Sequence, residues 1–226
     1  MKNLKGSYQR MRELKEKKNL HLLTDISQES IKWLSPDENG KEHQLNRLET
    51  IKELGLPKDY FINFWPQRGA QWDGIAIAEE SETLYMIEAK SYCGEISKGN
   101  LLKNDANEQQ KKNHNMKCDS LRNVMSFFKT DVDEKIWLYK YYQISNRIAF
   151  YLHTKKALPT DKIKNSKLLF INFCDDPDWK CENKHSSKEQ FEKKYNKILN
   201  EMGLTYEQLE KNGIFIRFID SNQIKK

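Results

Sequence analysis

The sequence predicts an α/β domain in which a mixed central β-sheet is flanked by helices, and three patterns support this class. The segments QWDGIAIA and TLYMIEAKS are apolar and are separated by the polar run EESE, which is typical of an antiparallel hairpin. KLLFINFC and GIFIRFID predict two further buried strands. Helical patterns alternate with these strands, which favours helices layered on a mixed sheet.

Helices are expected before, between and after the strands. SQESIKWLSP predicts a short helix that ends at a proline, and residues 40–57 predict a second helix. Residues 98–129 are polar and mostly helical in pattern, and residues 134–156 predict a helix with one apolar face. SSKEQFEKKYNKILNEMG predicts an amphipathic helix with a serine start and a glycine stop. The positions expected to face the core in residues 40–57 and 134–156 are Leu45, Leu48, Ile51, Leu54, Trp137, Tyr141, Ile144, Ile148 and Leu152.

Length and composition predict one soluble domain with an N-terminal extension. The 226 residues suit a single domain, residues 21–226, preceded by a basic helix or loosely held arm at residues 1–20. No stretch approaches the roughly 20 apolar residues of a membrane helix, and the N-terminus lacks the apolar core of a signal peptide. We therefore expect a cytoplasmic protein with no membrane partner. The oligomeric state is left open, a homodimer included.

Charge is distributed in alternating blocks along the chain. Residues 1–20 carry seven Lys or Arg against two acids, residues 21–95 carry seven against fourteen, and residues 96–129 carry seven against three. Lysine-rich helices are often ordinary solvated surfaces. An acidic segment between basic ones also suits a protein that binds a metal ion with carboxylates and a polyanion with cations.

The predicted hairpin brings three ionisable groups together. Asp73 and Glu88 are equidistant from the centre of the EESE turn, so a regular hairpin places them directly opposite, with Cβ atoms ~5 Å apart. Glu88 and Lys90 are two residues apart on one strand, so their side chains share a face. The next positions on that face are apolar: Ile75, Ile77, Leu84 and Met86.

Two carboxylates this close repel each other, so one of them must gain a proton or a cation. Mg²⁺ and Mn²⁺ prefer hard oxygen ligands and would resolve the conflict. The alternative is structural: Lys90 neutralises Glu88 or Asp73 at the end of the sheet. The pairing of an aspartate with the E-x-K motif favours a cation site.

These residues carry a resemblance to a known superfamily. WDGIAI followed by YMIEAK resembles the core of the PD-(D/E)XK nucleases, in which an Asp on one strand precedes E-x-K on the next. Five segments, in order, are similar to a bacterial family of uncharacterised nuclease-like proteins: SIKWLSP, FWPQRGAQWD, IEAKSY, YYQISNR and LLFINFCDDPD. The resemblance implies a restriction-endonuclease-like core and hydrolysis of phosphodiester bonds, with nucleic acid, and DNA in particular, as the partner.

The resemblance also implies roles for individual residues. Asp73 and Glu88 would hold Mg²⁺ or Mn²⁺, and the backbone carbonyl of Ala89 would be a further ligand. Lys90 would orient or activate the attacking water and stabilise charge at the phosphate. The cation lowers the pKa of the water and clamps the scissile phosphate.

Further site residues are expected on neighbouring elements. The superfamily often adds an acid from the first core helix, and Glu49 is our candidate, although alignment with the family places Gln44 there; the alternative is a solvated helix face. Gln71 precedes the first hairpin strand. Gln143 and Arg147 lie on the later helix and are candidates for contacting the phosphate, although Arg147 projects to the edge of its apolar face.

Three functions remain from the sequence. The first is a Mg²⁺-dependent deoxyribonuclease. The second is a non-catalytic member of the same fold that binds nucleic acid or protein; the intact Asp73, Glu88 and Lys90 argue against it, and the missing helix acid argues for it. The third is a metal-dependent hydrolase of another phosphate substrate.

Overall fold

The central element of the protein is a mixed β-sheet. The computed structural model describes residues 6–16, 30–35, 44–45, 47–67, 69–96, 107–182 and 184–224. Its described strands lie in chain order across the sheet; neighbours are antiparallel from β1 to β3 and parallel from β3 to β5. They are β1 (Ile31–Ser35), β2 (Gly74–Ala78), β3 (Thr83–Lys90), β4 (Asn165–Cys174) and β5 (Ile214–Asp220).

Helices flank this sheet, so the predicted α/β class with a mixed central sheet is confirmed. A π-helical turn at Ile136–Lys140 precedes α4, and 3₁₀ turns lie at Cys93–Ile96 and Pro177–Glu182. The described α-helices are α1 (Ser7–Glu16), α2 (Leu48–Glu53), α3 (Glu108–Phe128), α4 (Tyr142–Lys156), α5 (Lys188–Met202), α6 (Tyr206–Lys211) and α7 (Ser221–Ile224). None of these described helices combines the length and the apolar character that a membrane span requires.

Both faces of the sheet are covered, which explains why its strands are apolar along their whole length. Residues of β3 alternate between two cores: Leu84 and Met86 pack with residues of α3, α4 and α5, whereas Tyr85 and Ile87 pack with residues of α1. We call these the first and second faces. The four apolar positions predicted to share the face of Glu88 all belong to the first core.

Local sequence signals determine several elements. The hairpin of β2 and β3, the strands β4 and β5, and the amphipathic α5 are confirmed. The Ser187 side chain accepts a hydrogen bond from the Gln190 backbone N–H at the start of α5, and Gly203 ends it in the left-handed region with φ of 68°. Each apolar position predicted for residues 134–156 is buried.

Two helix predictions are corrected by pairing with the hairpin. Residues 31–35, predicted as helical, form the strand β1, because antiparallel pairing with β2 satisfies their backbone groups and outweighs local preference. Within residues 40–57 the described helix is only Leu48–Glu53, and Gln44 forms a β-bridge with Gln71. In the polar segment 98–129, α3 begins at Glu108; residues 98–106 lie outside the described part.

The N-terminal helix α1 packs on the second face of the sheet. Met11 and Leu14 belong to its core, and Arg10 is fully buried. The Arg10 guanidinium binds the carboxylates of Asp176 at 2.9 Å and Asp178 at 2.7 Å. In residues 6–16, the basic N-terminal segment is therefore a helix that contributes to the core.

Candidate active site

The β2–β3 register brings the predicted triad together. The antiparallel ladder ends with Gly74 opposite Ile87, and Asp73 and Glu88 are the next two residues in the same register. Strand alternation then places Glu88 and Lys90 on the first face, beyond Met86. The predicted convergence of Asp73, Glu88 and Lys90 is what this geometry produces.

The Asp73 carboxylate takes the place of a backbone hydrogen-bond acceptor between β2 and β3. Strand β2 begins at Gly74, so the backbone N–H of Ala89 has no strand partner at this end, and Oδ2 of Asp73 accepts its hydrogen bond at 2.7 Å. The N–H and C=O of one residue in a strand point to the same edge. The Ala89 carbonyl is therefore directed to the edge where Asp73 lies.

Glu88 is 3% exposed, and each of its carboxylate oxygens accepts hydrogen bonds from side chains. Oε1 accepts from the Lys90 ammonium and from Nε2 of Gln143 at 2.7 Å. Oε2 accepts from Nε of Arg147 at 2.6 Å. Gln143 and Arg147 are four residues apart on α4, so one face of that helix supplies both contacts. A buried carboxylate is stable here because it is paired and hydrogen-bonded.

Arg147 links Glu88 to the start of the hairpin. Its Nη2 donates to the backbone carbonyl of Gln71 at 2.8 Å, and Nη1 donates to Oδ1 of Asn146 at 3.2 Å. The guanidinium lies 4.9 Å from the ring centre of the buried Trp72. The structure thus brings Gln71 to the cluster through its main chain, and Arg147 fixes the position of Glu88 relative to that main chain.

Glu88 and Lys90 shift each other's pKa in the direction that favours the charged form of each side chain. Burial alone would raise the pKa of Glu88, but Arg147 and Lys90 together outweigh it and the pKa is lowered. Burial would likewise lower the pKa of Lys90, but the Glu88 and Asp73 carboxylates outweigh it and the pKa is raised. Lys90 is therefore an ammonium group and Glu88 a carboxylate at neutral pH.

Charge balance in the cluster was missed by sequence reasoning. The two carboxylates of Asp73 and Glu88 are matched by two cations, Lys90 and Arg147, so their repulsion is relieved within the protein. The available signal was the four-residue spacing of Gln143 and Arg147, which puts both on one helix face. The conflict between carboxylates alone therefore does not require a metal ion.

The donor set still fits a divalent cation. A carboxylate offers about four lone-pair positions, and the three side-chain donors to Glu88 leave capacity for one more contact. Asp73 is only partly buried, and the Lys90 side chain is 12% exposed, so this end of the sheet opens to solvent. Mg²⁺ commonly binds through one or two carboxylates and several waters. In the described part of the chain no group of three or more His, Cys, Asp or Glu forms a metal cluster.

The predicted helix acid lies in different surroundings. Glu49 is exposed on α2, and its carboxylate pairs with Nε of Arg47 at 2.8 Å. Gln44, the alternative position, accepts a hydrogen bond from the Gly69 backbone N–H at 3.1 Å beside its bridge to Gln71. The role of Glu49 as a metal ligand stays a prediction.

A larger groove lies away from the triad. It has a volume of about 740 Å³ and lies between α3 and the aromatic residues near Tyr60, and its walls include Phe64, Lys112, Asn115, Asn123 and His153. Asp73, Glu88 and Lys90 do not line it. The triad and this groove are therefore separate features of the described surface.

One further buried polar residue on the first face was not singled out from the sequence. Asn172 of β4 lies opposite Lys90 in the parallel register and is fully buried. Its signal was an amide within the apolar run KLLFINFC.

Comparison of the chain with protein-family models, with curated proteins and with solved structures gave no match.

Proposed function

We propose that the protein is a metal-dependent nuclease of the PD-(D/E)XK type that hydrolyses phosphodiester bonds of DNA. The observation that carries the proposal is the meeting of Asp73, Glu88 and Lys90 at one open end of adjacent strands, with Ala89 hydrogen-bonded to Asp73. This is the arrangement that the motif requires, an aspartate on one strand and E-x-K on the next. A restriction-endonuclease-like core and cytoplasmic location belong to the same proposal.

Asp73, Glu88 and the Ala89 carbonyl would hold the cation. A bound Mg²⁺ or Mn²⁺ supplies a water of lowered pKa and positive charge at the scissile phosphate. The hydrogen bond from Ala89 to Asp73 fixes one carboxylate oxygen at the start of β2. That contact orients the carboxylate before any ligand arrives, which reduces the reorganisation needed for binding.

Lys90 acts as a fixed positive charge. The Glu88 and Asp73 carboxylates raise its pKa, so in the cation-free protein it carries a proton at neutral pH. An ammonium beside the two carboxylates donates hydrogen bonds to the attacking water or to a phosphate oxygen and stabilises the charge that develops there. In the cation-free protein the Glu88 carboxylate holds this ammonium in place.

Gln143 and Arg147 position Glu88. Both donate to its carboxylate, and Arg147 is 7% exposed, so its guanidinium is directed into the protein. In this proposal Gln143 and Arg147 of α4 orient the Glu88 carboxylate toward the end of the sheet where Asp73 lies. The resemblance implies that Gln143 contacts the phosphate. This contact would require the Gln143 amide to donate its hydrogen bond to the phosphate and no longer to Glu88.

Cations suited to a nucleic acid lie on α3. Lys112 is exposed, and the ammonium of Lys117 lies 5.6 Å from the ring centre of Tyr142, the residue before Gln143. Phosphate backbones bind such groups through release of counterions. This placement supports a polyanionic substrate that runs from α3 toward the Glu88 carboxylate.

The second candidate is a non-catalytic protein that binds nucleic acid or protein on the same scaffold. It is favoured by the three donors that the Glu88 carboxylate already has within the protein: Lys90, Gln143 and Arg147. A cluster neutralised in this way serves equally well to hold the sheet to α4. Titration with Mn²⁺ separates the candidates, because only the nuclease needs the cation at this position.

The experiment that tests the proposal is cleavage of labelled single- and double-stranded DNA and RNA with Mg²⁺, Mn²⁺ or EDTA. Asp73→Ala, Glu88→Ala and Lys90→Ala should each abolish cation-dependent cleavage of DNA. The matched control is the exposed pair Lys32 and Glu53, whose side chains form an ion pair at 2.6 Å. Lys32→Ala and Glu53→Ala should cleave as wild type does, and full activity in any triad variant would overturn the assignment.

A further inference from the structure

Asn172 lies beside the candidate site on the neighbouring strand. It pairs with Lys90 in the parallel register of β3 and β4, and neighbouring strands lie about 4.8 Å apart. Leu168 and Phe170 of the same strand belong to the core of the first face, so alternation places Asn172 on the face of Glu88 and Lys90. The residue is 0% exposed. An amide at such a position is costly unless its polar atoms find partners.

The nitrogen and the oxygen of the Asn172 amide differ in their hydrogen bonding. Nδ2 donates to the backbone carbonyls of Phe170 at 3.3 Å and Arg217 at 3.2 Å, which fixes the orientation of the amide, since both partners are acceptors. Within the described residues, Oδ1 has no hydrogen-bond partner. Arg217 belongs to β5, so Nδ2 is directed to β5, and Oδ1, the other branch of the planar amide, is directed away from it.

We propose that Asn172 is a positioning residue for Lys90, whose ammonium donates to Oδ1 of Asn172 when Glu88 binds the divalent cation. The inference rests on the proposed function. In the cation-free structure the Lys90 ammonium donates to Oε1 of Glu88. A cation drawn to that carboxylate competes with the ammonium and repels it, so Lys90 needs another acceptor close by. The partnerless carbonyl across the strand is placed to be that acceptor.

A tyrosine of α5 lies next to the Asn172 side chain. Tyr195 is 2% exposed and close enough to affect Asn172: burial raises the pKa of Tyr195, and its contact with Asn172 acts in the opposite direction. Under this proposal Asn172 holds the ammonium at the open end of β3 after Glu88 releases it.

The test compares Asn172→Leu with Asn172→Asp. Both substitutions are similar in size to asparagine and both remove the Nδ2 donor, but only Asp keeps an acceptor for Lys90. With labelled DNA and Mn²⁺, Asn172→Leu should lower kcat about ten- to a hundredfold, the loss expected for one hydrogen bond to a charged group, with KM within about twofold. Asn172→Asp should recover kcat to within about threefold of wild type.

The matched control is Ser166→Ala. Ser166 is also buried on β4, its Oγ also lacks a partner among the described residues, and it lies opposite Leu84, at the far end of the strand from Lys90. This variant should cleave as wild type does. Equal losses in Asn172→Leu and Asn172→Asp, a change in KM alone, or an equal loss in Ser166→Ala would overturn the inference. If thermal melting shows Asn172→Leu unfolded, Asn172→Ala takes its place.

A binding measurement separates this inference from the proposed function. Calorimetric titration with Mn²⁺ should show binding about tenfold weaker in Asn172→Leu than in wild type, because displaced Lys90 has no acceptor. If wild type binds Mn²⁺ but cleaves nothing, the nuclease proposal fails while this difference still supports the role of Asn172. Equal Mn²⁺ affinity in both proteins overturns that role, and absence of Mn²⁺ binding in wild type overturns both.

Discussion

Nε of Arg147 donates a hydrogen bond of 2.6 Å to Oε2 of Glu88, between side chains that are 8% and 4% exposed. This contact joins α4 to β3 across 59 residues of chain. Removing one partner of a buried ion pair leaves the other charge buried without compensation, which costs more free energy than the pair contributes when intact. The stability of the candidate site should therefore depend strongly on Arg147.

Replacing Arg147 with Met keeps much of the side-chain volume and removes the charge. We expect Arg147→Met to lower the free energy of unfolding by about 3–5 kcal/mol, measured by urea denaturation at pH 7 in the presence of a chelator. The control is Arg122→Met. This variant removes an exposed ion pair with Glu134 at 2.8 Å, and the loss should lower the free energy of unfolding by less than about 1 kcal/mol. Adding Glu88→Gln to Arg147→Met should recover part of the loss, and a strictly additive double mutant would show that the two side chains do not interact.

The dependence of stability on pH should have two windows. The pKa of Glu88 is lowered below 4.5, so its stabilisation is present above pH 4.5 and lost as the pH falls through the folded-state pKa. The pKa of Lys90 is raised above 10.5, so its stabilisation is present below pH 10.5 and lost as the pH rises through the folded-state pKa.

The measurement is urea unfolding at a series of pH values. The difference in unfolding free energy between wild type and Glu88→Gln should be constant near neutral pH and shrink below pH 4.5. The difference between wild type and Lys90→Met should shrink only above pH 10.5. A difference that grows on acidification for Glu88→Gln would contradict the lowered pKa.

Asp73 has two roles that two substitutions separate. Asparagine keeps an oxygen that can accept a hydrogen bond from the Ala89 N–H, so the free energy of unfolding of Asp73→Asn should lie within about 1 kcal/mol of the wild-type value. Asp73→Ala removes this acceptor and should lower the free energy of unfolding by about 1–3 kcal/mol. Both remove the carboxylate and should weaken Mn²⁺ binding at least about tenfold in calorimetry. Equal Mn²⁺ affinity in wild type and Asp73→Asn would place any cation elsewhere.

The hairpin and its triad could be predicted because their signals are local. Strand alternation and the turn centre determine which face Glu88 and Lys90 share and which residue opposes Asp73. The helix α5 could be predicted for the same reason, since Ser187 and Gly203 lie at its two ends. Such features need no knowledge of distant chain segments.

The features that sequence reasoning missed depend on long-range pairing. Residues 31–35 become a strand because β2 offers an unpaired edge 40 or more residues away, and no local pattern reports this. The balance of charge around Glu88 depends on Arg147, and the importance of Asn172 depends on the β3–β4 register. In each case the residue was visible in the sequence, but its partner was determined by the fold.

The last prediction concerns how a nucleic acid is held. Removing residues 1–20 would be a poor test of their positive charges, because Arg10, Met11 and Leu14 are buried and their loss would disturb the second face. Neutralising surface lysines on α3 avoids this. Lys112→Gln combined with Lys117→Gln should weaken binding of duplex DNA to the Asp73→Asn protein, which keeps an acceptor for the Ala89 N–H.

Each lysine that contacts a phosphate contributes about −0.9 to the slope of log K against log salt, so the double variant should lower the magnitude of the slope by up to about two. The matched control is Lys162→Gln with Lys164→Gln, two exposed lysines that precede β4 at the end of the sheet opposite to Lys90. Their loss should leave the slope unchanged, because a strand bound along α3 toward Glu88 does not pass them. Fluorescence anisotropy of a labelled duplex at several salt concentrations measures both slopes. An equal fall in the two double variants would mean that binding is spread over the whole surface, and an unchanged slope in the α3 variant would mean that the DNA approaches the carboxylates by another route.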